Sequence, residues 1–161
     1  MSAIKIFGLK SFFPLLLLLI FSCSETSKSE KKNTGNERVE YIVFSRVGGR
    51  GGNYKTIRVT QDSVVLSLGN TSKNLHKIWK KALSDKVKAE LFGKLNVNQL
   101  SFIKSSESIQ AQDGADETFQ IKTSRTSYVF VNAYNDEYNY RQLENFKTQL
   151  KKIIPKEFQP L

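Results

Sequence analysis

The chain has 161 residues, with 25 Lys or Arg against 15 Asp or Glu, a formal charge of +10 and 39% hydrophobic residues. That length holds one ordinary domain. A single Cys and a single His exclude a disulfide scaffold, a four-cysteine zinc site and paired-histidine metal motifs, so no metal and no cofactor is expected.

The hydrophobic average conceals a segment made for another solvent. Phe12 to Phe21 is apolar throughout, preceded by Lys5 and Lys10 and followed by Ser22 and Cys23, the pattern of a signal peptide with a positive start and a short apolar centre. A permanent transmembrane helix needs about 20 apolar residues, and this run is shorter and contains Pro14. Ordinary signal cleavage before Cys23 is disfavoured by bulky Ile20 three positions upstream. Ile20-Phe21-Ser22-Cys23 instead resembles the lipobox of bacterial lipoproteins, with Phe21 departing from the usual small residue. The resemblance implies that residues 1–22 are removed and that Cys23 becomes the lipidated amino terminus, holding the protein on a membrane through its acyl chains. Ordinary cleavage after Ser24 is the alternative and would release a soluble protein.

Residues 24–38 contain no apolar side chain, and their acids and bases nearly cancel. Such a stretch cannot bury enough surface to offset its ordering entropy, so 23–38 reads as a lipidated Cys and flexible tether. Removing residues 1–23 still leaves a charge of +8. The excess of base therefore belongs to the exported part.

The remainder, 39–161, reads as a single globular α+β domain. Val39 to Phe44 is rich in β-branched and aromatic residues with apolar positions on both parities, which predicts a strand covered on both faces or central in its sheet. The glycines at 48, 49, 51 and 52 end it. Tyr54–Thr60 alternates, and Val64–Leu68 follows the turn residues Asp62 and Ser63, predicting further antiparallel strands. Residues 75–82 fit either a helix or an edge strand, and we favour the strand. Ser84 and Asp85 read as the cap and first-turn acid of a helix over 84–95, with a short turn at Leu100–Ile103. Thr118–Lys122 and Ser127–Val131 flank Ser124-Arg125-Thr126 and predict a hairpin. Tyr140, Leu143, Phe146, Leu150 and Ile153 have helical spacing, with Arg141, Glu144, Lys147 and Lys151 placed outside and Pro155 as the stop. These elements predict an antiparallel sheet of about five or six strands with two helices packed on one face.

Candidate chemistry is sparse. The glycine cluster with Arg50 lacks both known phosphate-binding fingerprints and is read as a hairpin loop. Asp113, Asp116 and Glu117 cluster oxygens without the spacing of a calcium loop, so a turn entering a strand is favoured. His76 is the only imidazole, and its lysine-rich surroundings favour an exposed surface residue. The clearest sign of a partner is charge: Lys73, Lys77, Lys80, Lys81, Lys86, Lys88 and Lys94 face only Asp85 and Glu90 within 73–94. The plain reading is a solvated face, and the functional one is attraction to an anionic envelope component or a protein partner. No nucleic acid is expected, because Trp79 is the only aromatic residue among these lysines before Phe92.

The order of elements, together with Asp113-Gly114-Ala115-Asp116 opening a hairpin that ends in Val131-Asn132-Ala133, looks like small lipoproteins of the Bacteroidota to which no activity is assigned. The resemblance implies an envelope address, at the outer membrane or a periplasmic face, and no enzymatic role. The expected function is a lipid-anchored, non-enzymatic binding or interaction module. A small envelope hydrolase using carboxylates such as Asp113 and Asp116, or an inhibitor of an acidic exported enzyme, are the alternatives.

Overall fold

The computed structural model describes residues 37–49 and 51–159. The signal segment, Cys23, the tether through residue 36 and Arg50 lie outside the described residues.

Six strands form one antiparallel sheet: β1 (Val39–Gly48), β2 (Asn53–Thr60), β3 (Ser63–Asn70), β4 (Leu75–Ala82), β5 (Ala115–Thr123) and β6 (Ser127–Val131), in spatial order β4-β3-β2-β1-β5-β6. The first four make a meander that walks outward from β1. Helix α1 (Asp85–Phe92) and the single turn α2 (Val97–Leu100) follow, and the chain then returns to β5 on the other flank of β1. The hairpin partner β6 closes that edge. Helix α3 (Arg141–Ile153) comes last. The protein is thus mixed α+β, with 75–82 a strand at the sheet edge and β1 central, as the apolar residues on both its parities predicted.

Period-two alternation decides which side chains enter the core. Ile42, Ile57, Val59, Val64, Leu66, Phe119 and Ile121 are almost fully buried, and the register sets Ile42 beside Val59 and Ile121, and Phe44 beside Ile57 and Phe119. Their opposite-parity neighbours Val43, Ser45, Thr56 and Gln120 are only half-buried. A register shift between Val39 and Tyr41 lets Val39 reach the core too, the usual effect of one extra residue in a strand. Phe146 of α3 lies 6.3 Å from Phe119 of β5, edge to face, and Phe92 of α1 lies 6.4 Å from Phe146. Offset and edge-on arrangements of this kind each contribute roughly 0.5–1.5 kcal/mol beyond area burial.

Local chemistry sets the helix ends. Ser84 caps α1 by accepting from the Val87 amide, and Asp85 occupies the first turn, where a carboxylate complements the helix dipole. The helix stops at Phe92, with Gly93 as its cap. The turn expected at 100–103 is present, with the Ile103 amide donating to Leu100 O at 3.1 Å, and it continues directly from α2, which Asn96 caps by accepting from the Asn98 amide. α3 buries Leu143, Phe146 and Leu150, and ends in Lys151 and Lys152. Glu37 accepts from the Thr123 hydroxyl, and Arg38 exchanges hydrogen bonds with Ser124, so both residues continue the edge of the domain at the β5–β6 turn.

Candidate functional site

The residues singled out by sequence do not converge. His76, on β4, pairs its Nδ1 with Tyr54 Oη at 2.5 Å. Asp116 occupies the same rung of the sheet four strands away, through Gly69, Tyr54 and Val47, a separation of about 19 Å at the usual strand spacing. Imidazole and carboxylate therefore cannot act on one substrate atom. Asp116 is spent on architecture. It accepts from Ser108 Oγ at 2.6 Å, the Ile109 amide at 2.9 Å and Asn132 Nδ2 at 2.8 Å, and these donors hold its pKa below the usual carboxylate value, Ser108 contributing most. Asn132, fully buried with φ 47°, also donates to Glu107 O and accepts from the Glu117 amide. Asp113 caps a 3-10 turn with φ 58° and is exposed. The Asp-Gly-x-Asp motif is thus the fastening of the loop before β5. Among the described residues no group of three or more His, Cys, Asp or Glu could hold a metal.

The glycine loop packs against that same fastening. Gly49 donates to Gly114 O at 2.9 Å, and a Cβ on Gly48, at φ 128°, would stand 2.4 Å from the same oxygen. Glycine is required there for close backbone approach. The seven lysines divide between several surfaces. Lys73 lies in the β3–β4 turn, while Lys77 and Lys81 alternate with Lys80 across β4 and so project to opposite sides of the sheet edge. Lys86 and Lys88 are on α1, Lys88 pairing with Asp85 at 2.8 Å, and Lys94 follows the helix.

A different set of cations does meet. A cleft of about 720 Å³ is lined by Arg46, Lys55, Lys147, Lys151 and Lys156, with Glu117 the one acid, over walls that include Phe44, Ile57, Leu150 and Ile154. Register builds its sheet side. Lys55 is opposite Arg46 and Arg46 opposite Glu117, each two residues beyond the core positions Ile57, Phe44 and Phe119. The inward-facing row of the three central strands thus turns from apolar to charged at one end of the sheet. The end of α3 supplies the other side. Lys147, Leu150, Lys151 and Ile154 follow the i, i+3, i+4, i+7 stripe of one helix face.

The chain beyond α3 completes the cleft. Pro155 cannot continue the helix, and a 3-10 turn over Lys156–Phe158 follows. Lys55 Nζ donates to Phe158 O at 2.8 Å and Gln159 O at 3.1 Å. Gln159 Nε2 donates back to Lys151 O and Ile154 O. Lys55 is only 9% exposed, and burial, followed by the charges of Lys151 and Arg46, lowers its pKa. Three cations therefore crowd one end of the cleft.

At the other end Lys147 bridges two acids, 3.0 Å from Glu117 and 2.8 Å from Glu144. It is not the outward-facing lysine that the helical pattern implied, having a side chain 15% exposed, because Glu117 on the adjoining strand draws it inward. Tyr140 donates its hydroxyl to Glu117, and burial together with that carboxylate pushes the phenol far above its usual pKa. Lys147 also lies 5.0 Å from the Tyr140 ring centroid, a cation–π distance. Glu117 is thus the one acid among the five cationic side chains that line the cleft, and Lys147 is its ion-pair partner. A second hollow of about 680 Å³ shares Arg46, Glu117 and Lys147 with the first and runs on past Gly48, Gly49 and Gly114.

Sequence reasoning passed over these cations because they come from three distant segments. The signal was nevertheless present: Lys55, Arg46 and Glu117 all share the parity of the buried residues of their strands. Among protein-family models and curated proteins, none matches the chain.

Proposed function

We propose that the protein is a lipid-anchored cell-envelope component, of the kind represented by small Bacteroidota lipoproteins, and acts as a non-enzymatic binding module. In this reading both helices pack on the face of the sheet that carries Ile42, Phe44, Ile57 and Phe119, and the cleft at the end of that face takes an anionic partner. The observation that carries it is the meeting of five cations with one carboxylate around the cleft. Fixed like charges in a half-enclosed site strengthen one another's field and favour a counter-anion.

Titration of the isotopically labelled protein with inorganic phosphate tests the anionic reading. Saturable shifts of the amide signals of Arg46, Lys55 and Lys151, lost on raising the salt, are the expected result; uniform, unsaturable shifts along the chain would refute it. The anchor is tested separately by mass spectrometry of the mature amino terminus, which should begin at an acylated Cys23. An unmodified residue other than Cys23 there removes the lipoprotein reading.

A further inference from the structure

We infer that the outer edge of β4 takes an extended acidic segment of a partner protein as a seventh strand of the sheet. No residue of β4 lines the charged cleft, so this surface is separate from the one proposed above.

The edge is open and regular. β4 stands at the end of the sheet and pairs with β3 in an unbroken antiparallel register, from Leu75 opposite Asn70 to Ala82 opposite Ser63. Its remaining backbone N–H and C=O groups point away from β3, and among the described residues no other strand pairs with them. Every side chain of the strand is exposed except the half-buried Trp79. Neither a proline nor a bulge, two common ways of blunting an edge, interrupts it. The opposite edge is different. β6 is shorter, and the Val131 at its end already donates to Ser105 Oγ and accepts from the Ser106 amide.

Charge selects what can dock. Residues 71–84 carry Lys73, Lys77, Lys80 and Lys81 and no acid. A second copy of β4 would set lysine against lysine, and like charges opposite one another across a ladder are destabilising, whereas opposite charges are favourable. The same lysines that refuse a copy of this chain therefore attract an acidic strand. The register defines that strand further. Leu75, Lys77, Trp79 and Lys81 lie opposite Asn70, Leu68, Leu66 and Val64 and share their core side, while Ile78 and Lys80 lie opposite Ser67 and Val65 on the other. An added antiparallel strand thus meets Lys77 and Lys81 on one side and Lys80 on the other, with Trp79 and the 62% exposed Ile78 between them. The matching segment has acids opposite the three lysines and aliphatic residues opposite Ile78 and Trp79. In strand addition the main-chain hydrogen bonds supply affinity and the alternating side chains supply selectivity.

Trp79 is the only tryptophan and stands within this edge, so its fluorescence reports occupancy. The experiment titrates the full-length protein with a blocked synthetic peptide carrying glutamates opposite Lys77, Lys80 and Lys81, valines opposite Ile78 and Trp79, and threonines on either side. Beside it run the lysine counterpart and a copy N-methylated at the amides that would face β4. The glutamate peptide is expected to change the fluorescence saturably, more weakly as salt is raised, and to slow amide exchange within residues 75–82 at least about tenfold; the other two peptides should do neither. Lys77→Glu together with Lys80→Glu, at two exposed positions, should weaken the glutamate peptide at least about tenfold with the thermal midpoint little changed. Equal binding of the N-methylated copy would mean attraction by charge without strand pairing and overturns the inference. Equal binding of the lysine peptide, or protection that falls in β1 and β2 instead of 75–82, overturns it as well. Binding of none of the three peptides also overturns it, while the anionic reading of the cleft, tested with inorganic phosphate, stands or falls separately.

Discussion

The carboxylate of Asp116 shows how one residue can organise three segments. Its donors come from the loop before β5 and from the residue after β6, and Asn132 ties the same loop to β5 through Glu107 O and the Glu117 amide. Asp116→Ala strands these donors, and we expect a loss of about 1–3 kcal/mol in urea unfolding. The pH dependence has a definite sign. The pKa of Asp116 is lower in the folded protein than the ordinary 3.8, so the unfolded chain binds the proton more readily; this stabilisation is complete above that value and is lost as the pH falls through the folded one. Asp85 and Asp136 are lowered as well. The informative quantity is therefore the difference between wild type and Asp116→Asn, which should shrink on acidification below about pH 4. A difference independent of pH would mean that the charge of Asp116 has no part in the network. From sequence the aspartates 113 and 116 are simply two nearby oxygens. That one is buried and spent on hydroxyl, amide and backbone donors depends on Ser108 in the loop before β5 and on Asn132, which only the β5–β6 hairpin brings within reach.

At the scale of elements, β4 explains the lysine run. A strand at a sheet edge offers unpaired backbone groups to any other chain, and lysines along it make such pairing costly. β4 is exposed at every position except the half-buried Trp79, with Lys77 and Lys80 projecting to opposite sides. Replacing them in Lys77→Val and Lys80→Ile should raise the sedimenting mass of the protein at high concentration, and an unchanged monomer would show that the lysines do not guard this edge. The opposite edge, β6, has only five residues, and a short strand is a weaker template. The ambiguity of 75–82 has the same origin. Exposed on both sides, the strand carries little burial pattern of its own, and its pairing with β3 decides its conformation. α3 is the opposite case. Its apolar spacing announces it, Pro155 stops it, and the only correction concerns Lys147, drawn inward by Glu117.

For the whole molecule, the net charge is less informative than where the charges meet. Lys80 and Lys81 lie on β4, two strands from Lys55 and three and four residues beyond its rung, a distance of about 14 Å or more that exceeds the roughly 10 Å screening length at 0.1 M salt. Reversing both to Glu should therefore change the affinity for inorganic phosphate by less than about threefold in 0.1 M salt, whereas Lys151→Glu together with Lys156→Glu, at two residues lining the cleft, should weaken it at least about tenfold. Comparable losses from both sets would mean that binding follows net charge and not the cleft. Sequence by itself determined the α+β class, the hairpin at 124–126, the cap at Ser84, the stop at Pro155 and the strand parities, because each depends on neighbours a few residues apart. Only the tertiary structure decided the cleft. Arg46, Lys55 and Glu117 become neighbours through the β2–β1–β5 register, and Lys147 and Lys151 join them through the packing of a helix that begins about 20 residues after β5 ends. Such adjacency between distant segments is written in no local pattern, so a diffuse positive composition became a specific site only when the chain folded.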